Sequence, residues 1–168
     1  MKLTITENTA ALQKAFAALD YLRRHEVRVG LPSSAGMRNR VILAIQEHGS
    51  PINRIPARPV IRPALQAEET RAAMAEAMES SMEAALRGDL SGTQAALEAA
   101  GKAGADGIRA YIDAHIPPPN SPATVHGGWI WNRAEKKPVH VPGKGFDKPL
   151  YDTGELYRAF SYEIRERE

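Results

Sequence analysis

Apolar positions along the chain switch between the three-and-four spacing of a helix and the two-residue alternation of a strand, and the switches mark its elements. Residues 1–6 (MKLTIT) alternate and predict a short strand. Asn8 or Thr9 can cap a helix running to about Arg24. Its apolar set Leu12, Ala15, Phe16, Leu19 and Leu22 lies on one face, leaving Lys14, Asp20, Arg23 and Arg24 to solvent. His25 to Pro32 alternates through Val27, Val29 and Leu31 and stops at Gly30 and Pro32, a strand with a terminator. Ser33 to Gly36 is a flexible turn. Asn39 to His48 then predicts a compact helix, apolar on more than one side and so largely buried, with Gly49 as its left-handed C-terminal residue.

Pro56, Pro59 and Pro63 exclude a helix and a central strand from the next stretch, which reads as an extended connector. Arg58 and Arg62 stand between those prolines and either pin the connector to carboxylates or helix-end carbonyls, or are simply solvated. From Ala64 to about Arg87 the spacing predicts one long helix, with Pro63 in its first turn and Glu68 and Glu69 near its positive end. Met74, Met78, Met82 and Leu86 form a stripe suited to core or subunit packing. Gly88 to Gly92 breaks the chain, and a second helix to about Ala114 carries Leu97, Ile108, Tyr111 and Ile112. Its glycines 101, 104 and 107 each cost about 1 kcal/mol relative to alanine. They either admit a closely packed neighbour or mark a break; an αα-hairpin with small-residue packing is the favoured reading.

Pro117 to Pro122 ends helical structure, and the chain to Pro149 is rich in Pro, Gly and Lys. A structureless stretch of this length inside a domain is expected to be functional, mobile or paired. Trp129-Ile130-Trp131 and Val139-His140-Val141 are two short alternating pieces that predict a β-hairpin arm. Without a core such an arm is marginal alone and wants a partner surface. In the closing stretch, Asp152 or Thr153 can cap a short helix, with Glu155 at the capping-box spacing from Asp152 and Leu156, Tyr157 and Phe160 as its apolar side. Phe160, Tyr162 and Ile164 then alternate as a final strand.

The expected fold is α+β: a small, mostly antiparallel sheet from the 1–6, 27–32 and 159–165 segments against the N-terminal helix and the 64–114 helices. The 168 residues read as a single domain, with 117–149 as an extended arm. A net charge of +2 and 25 % charged residues give no basic excess that would argue for nucleic acid or an anionic membrane. No secretory leader and no apolar run of about 18–20 residues is evident, so no membrane role is expected. The absence of cysteine excludes a disulfide framework and thiolate chemistry, and suits a reducing cytoplasm.

Reactive chemistry is not spelled out. His25, His48, His115, His126 and His140 lack metal-ligand spacing, so no metal and no cofactor is expected. Gly143-Lys144-Gly145 lacks the phosphate-loop pattern, and Ser33, Ser34, Ser80, Ser81 and Ser121 lack a nucleophile elbow. Asp152 has no evident partner for acid–base work. Trp129 and Trp131 near Lys136, Lys137 and Lys144 could stack bases, a weak pattern with only two aromatics.

Taken in order, Val27–Gly30 (VRVG), Ile45–Gly49 (IQEHG), Ile55–Pro59 with Arg62-Pro63-Ala64, Pro118–Thr124 (PPNSPAT) and Lys148–Leu156 with the Phe160–Ile164 strand form a series. That series resembles the tail-completion or head–tail joining proteins of long-tailed bacteriophages and prophages. The resemblance implies a structural virion component, not an enzyme, that assembles as a ring, typically a hexamer, and caps the tail tube at the neck. It would be made in the bacterial host cytoplasm and end in the virion. Its partners would be its own copies, the tail tube and neck or head-completion proteins, without sequence-specific nucleic acid. Arg58, Pro59, Arg62, Asp152, Thr153 and Gly154 carry over as framework positions. The family usually crosses from Thr124 to Lys144 briefly; here roughly twenty residues intervene. Trp129, Ile130, Trp131, Val139 and Val141 in that insertion are the expected contact residues. A nucleic-acid-binding accessory protein is the first alternative, and a small hydrolase hidden in the long loop the second.

Overall fold

The computed structural model describes residues 9–114, 116–132 and 134–167, so the strand expected over 1–6, the Asn8 cap and His115 lie outside the described residues. Helix α1 (Thr9–Arg24) runs directly into strand β1 (His25–Gly30). A 3-10 turn (Ser33–Ala35) leads to α2 (Gly36–His48), and a second (Pro51–Asn53) precedes the connector. Helices α3 (Ile61–Gln66), α4 (Glu68–Leu86) and α5 (Leu90–Asp113) follow. The last third holds α6 (Pro122–His126), β2 (Gly127–Asn132), β3 (Lys137–Pro142), α7 (Glu155–Ala159) and β4 (Ser161–Glu166). The architecture is α+β, with two two-stranded antiparallel sheets: β1 with β4, and β2 with β3.

Strands β1 and β4 pair from His25 opposite Glu166 to Gly30 opposite Ser161, bringing the segment after α1 beside the last strand. The pair lies against α5, which also packs along α4. Here the glycines of α5 find their use, each admitting a neighbour's side chain where a methyl would collide. A Cβ at Gly101 would stand 2.3 Å from the Tyr162 ring, one at Gly104 2.9 Å from Val29, and one at Gly107 2.3 Å from Thr70. The helix is unbroken through all three, so their intrinsic cost is offset by packing. Between α4 and α5 the contact is small-residue and tight: Ser81, Ala84 and Ala85 face Thr93, Leu97 and Ala100, all buried. The buried Ser81 hydroxyl donates to the Thr93 carbonyl at 2.9 Å.

A second apolar cluster joins α2, α3, the end of α5 and α7. Leu43, Val60, Ala64, Ile108, Ile112, Ile116, Leu156 and Phe160 form it, and Phe160 is fully buried. At the same place Arg109 donates to the Phe160 carbonyl at 2.6 Å, fixing the step from α7 into β4.

Several expectations need correction. The single helix from Ala64 to Arg87 is two, because Ala67 adopts an extended backbone (φ −57°, ψ 137°). The turn lets α3 contact α5 while α4 takes its own line along it. Pro63 falls in the first turn of α3, and helix therefore begins before the last connector proline. Of the stripe expected to serve core or subunit packing, Met78, Met82 and Leu86 are exposed, because α4 turns its serine and alanine face inward, and Met74 is half-buried. Leu12 and Phe16 of α1 are exposed as well, and only Ala18 of that helix is buried. Helix α2 buries Asn39 and Leu43 while Val41 stays outside. Gly49 does have positive φ (73°), but its ψ of 176° is extended rather than left-handed helical. A Cβ there would approach the Ala57 amide nitrogen to 2.9 Å, so the site needs glycine for space as well as for φ.

Candidate functional site

Strands β2 and β3 form the expected hairpin, with Trp129 opposite His140, Ile130 opposite Val139 and Trp131 opposite Pro138. Residues directly opposite share a face and successive residues alternate, so this register sorts the side chains. Trp129, Trp131, Pro138 and His140 lie on one face; Ile130, Val139 and Val141 lie on the other. Trp129 is 73 % exposed and Trp131 62 %, and the Trp129 ring meets only the edge of His140, with centroids 5.5 Å apart. The tip is closed by Asn132, whose side-chain oxygen accepts from the amides of Ala134 (2.9 Å) and Glu135 (3.2 Å). Glu135 pairs with Lys137 at 2.8 Å.

The root of this arm is held from several sides. Arg58 is 6 % exposed and points its guanidinium at carbonyls 60 residues away. Its Nε donates to Pro118 O at 2.7 Å, Nη2 to Pro119 O at 2.8 Å and Nη1 to the Gln46 side chain at 3.4 Å. A planar fork is what two neighbouring carbonyls require. Burial pulls the Arg58 pKa down and Asp147 opposes it, so the cation is held by acceptors rather than by a contacting carboxylate. Asp147 in turn accepts from the Asn120 amide and side chain, both at 2.9 Å. The amides of Lys144 and Gly145 return to the carbonyls of Thr124 and Val125 at 2.9 Å. Gly127 and Gly143 cross so closely that a Cβ on Gly143 would lie 2.3 Å from the Gly127 nitrogen.

Beyond the root, the Lys144 ammonium donates to Lys148 O (2.9 Å) and Tyr151 O (2.6 Å). Burial lowers its pKa, against the pull of Asp152 and Asp147. Lys148 reaches Asp113, which also accepts from the Tyr157 hydroxyl at 2.8 Å and so raises the Tyr157 pKa. The Asp-Thr-Gly turn enters α7 with Gly154 in the left-handed conformation (φ 76°). That geometry overturns the capping box: Asp152 stays exposed, and the Thr153 hydroxyl accepts from the Glu155 amide at 3.3 Å. The Glu155 carboxylate accepts instead from Asn39 Nδ2 at 3.3 Å.

Arm, α2 and this turn enclose an open groove of about 680 Å³. Ile42 of α2, Leu150, and Ile130 and Val141 from the inner face of the hairpin give it apolar walls; Asp152 and Glu155 stand on its loop side. Lys144 and Arg38 line it too.

Of the residues picked from sequence, the structure gathers Ile130, Val141, Asp152, Thr153 and Gly154 around the groove and Arg58 at the arm's root. Trp129 and Trp131 face away from the groove, Arg62 is exposed on α3, and Pro59 is exposed between buried Arg58 and Val60. Sequence reasoning missed α6, although Ser121 before Pro122 is a cap followed by proline at the first helical position; Ser121 Oγ accepts from the Thr124 amide at 3.3 Å. Glu47 was also missed: its carboxylate accepts from the amides of Val60 (2.8 Å) and Ile61 (2.9 Å), capping α3 from another helix. Among the described residues, His25, His48, His126 and His140 are dispersed and no group of three His, Cys, Asp or Glu gathers as a metal donor set. No described helix is long and apolar enough to cross a membrane.

No protein-family model matches the chain, and neither a curated protein nor a solved structure matches it.

Proposed function

We propose that this chain is a structural assembly subunit of the phage tail-completion kind, joining tail tube to neck in the virion through contacts made by its arm. The family part of this reading rests on the ordered series of motifs from Val27 to Ile164. One observation carries the assembly part: the hairpin sets Trp129 and Trp131 side by side on a solvent face while its root is fixed by the Arg58 fork. Large aromatics on a preorganised support are the composition of an interaction anchor, because little ordering entropy remains to be lost on docking. Copies of the chain in a ring, the tail tube and a neck protein are the partners; no catalytic step and no cofactor is assigned. The protein would be made in the host cytoplasm and incorporated in the particle.

Mass by light scattering across a concentration series, alone and with purified tail tubes, tests it. The expected result is a ring, or a smaller species that collects at one end of the tubes, with capture lost in Trp129→Ala/Trp131→Ala. Wild-type chain that ignores tubes at every concentration, or a double variant that binds as well as wild type, would overturn the proposal.

A further inference from the structure

We infer that the outer edge of β2 is a docking edge for an extended strand of a different protein, the tail tube in the assembly reading above, which joins the arm as its third strand. The inference rests on that reading and deepens it by giving the arm's contact a backbone component. Its basis is where the prolines fall. Proline has no N–H to give, so within an antiparallel pair it sits where that N–H would point away from the neighbouring strand. Pro138 stands opposite Trp131 and Pro142 opposite Gly127. Those pairs, and Trp129 with His140 midway between them, are therefore the non-hydrogen-bonded ones. The amides and carbonyls of Trp129 and Trp131 then point out along the free edge of β2, while β3 turns two prolines to its own free edge. Among the described residues, neither tryptophan amide bonds outside the ribbon and no third strand pairs with β2.

The other described strands are blunted against such pairing. Strand β1 carries Glu26 paired with Arg28, and β4 carries Glu163 paired with Arg165. Strand β3 has its two prolines and Lys137. Strand β2, Gly-Gly-Trp-Ile-Trp-Asn, has neither charge nor proline. An edge left open where the others are closed is a template for strand addition, in which main-chain bonds give affinity and alternate side chains give selectivity. The two faces of the ribbon define what the added strand carries. Residues opposite Trp129 and Trp131 share the indole face, where aromatic or β-branched side chains pack well. The residue between them falls beside Ile130, at the apolar mouth of the groove with Ile42, Leu150 and Val141. Arg38 and Lys144 stand there against Asp152 and Glu155, so the groove has no net sign to attract a charged segment. The occupant is thus an uncharged extended segment, apolar on both faces over about five residues. A second copy does not suit the edge: two β2 strands would pair about a two-fold axis into a closed dimer and leave no edge for the tube.

Purified tail tubes serve as the probe, with the whole chain. Residue-resolved hydrogen exchange should show the Trp129 and Trp131 amides open in the free chain and slowed about tenfold or more on tubes. Trp131→Pro and Trp131→Ala both lose the indole, and only the first also loses the outward N–H. Trp131→Pro should bind tubes about three- to tenfold more weakly than Trp131→Ala. Protection of the Ile130 amide, which faces β3, checks that the hairpin persists in both variants. Tube-bound chains whose tryptophan amides stay open, or equal binding by the two variants, overturn strand addition and leave the joining role standing. Protection of the same amides in a tube-free dimer overturns the foreign strand in favour of a second copy. Wild-type chain that ignores tubes overturns both readings.

Discussion

Strands β1 and β4 and strands β2 and β3 are two antiparallel pairs of the same length, written in similar alternating residues. The first pair has a helix behind it. Tyr162 and Val29 press into the bare surface of α5 at Gly101 and Gly104, and Phe160 anchors the entry to β4. The second pair touches the helices chiefly through α6 at its root and is apolar on both faces. An isolated two-stranded hairpin is at best marginal in water. The arm is therefore held by its ends, through Arg58, the Gly127–Gly143 crossing and Asn132 at the tip, and not by a core of its own. The difference shows how one alternating pattern serves two ends: placed over glycines it makes a fold, and placed over a groove it makes a surface.

The sharpest way to break that contrast is to remove the anchor of the first pair. Phe160→Ala should cost about 3–5 kcal/mol, measured by urea unfolding, and should loosen the β1–β4 amides to hydrogen exchange. Arg58→Met should cost about 2–3 kcal/mol by leaving two carbonyls and the Gln46 amide without their donor. Its signature is local: the Lys144 and Gly145 amides should exchange faster than any in β4. Gly107→Val forces the Thr70 contact apart and should cost about 1–3 kcal/mol. If it proves neutral, the glycines of α5 do not set the distance to α4. Trp129→Ala/Trp131→Ala should change unfolding free energy by under about 0.5 kcal/mol, the mark of a surface that the monomer does not need. A loss as large as that of Phe160→Ala would mean the tryptophans belong to the fold.

The smallest expected effect is pH-dependent. Glu163 accepts from the Ser33 amide and hydroxyl and pairs with Arg165, which hold its carboxyl below the ordinary value of 4.5. A carboxyl depressed in the folded state stabilises above the unfolded pKa, and that stabilisation is lost as pH falls through the folded value. As pH falls from neutral into the acid range, the wild-type chain should lose slightly more stability than Glu163→Gln. Equal slopes would show that the bond to Ser33 contributes nothing.

Much of the body was legible because its signals are local. The helix to Arg24, the strand through Val27 and Val29, the helix ending at His48 and the pairing of alternating pieces around the tryptophans all follow from spacing and terminators. The connector arginine was half legible: pinning to carbonyls was one of two readings for Arg58, and the carbonyls turned out to be those of the Pro118–Pro119 segment. The break at Ala67 had no terminator to announce it, since alanine favours helix and the turn is imposed by packing on α5. For the methionine stripe, periodicity reports that a face is apolar, not that it is the inward one: α4 buries serine and alanine and leaves Met78 and Met82 exposed, so of the two uses expected, core and subunit packing, the fold removes only the first. The groove itself is tertiary, assembled from α2, the arm and the Asp-Thr-Gly turn, and no single stretch encodes it.

The crossing of Gly127 and Gly143 gives the arm the mechanics of a cantilever. With the two strands fastened within contact distance at their base, a sideways load on the tip becomes tension in one strand and compression in the other. Both are delivered to the segment held by the Arg58 fork, and through Arg58 and Gln46 to α2. A load on the tryptophan face is thus carried through the arm's root to α2, the helix that contributes Ile42 to the chain's own groove.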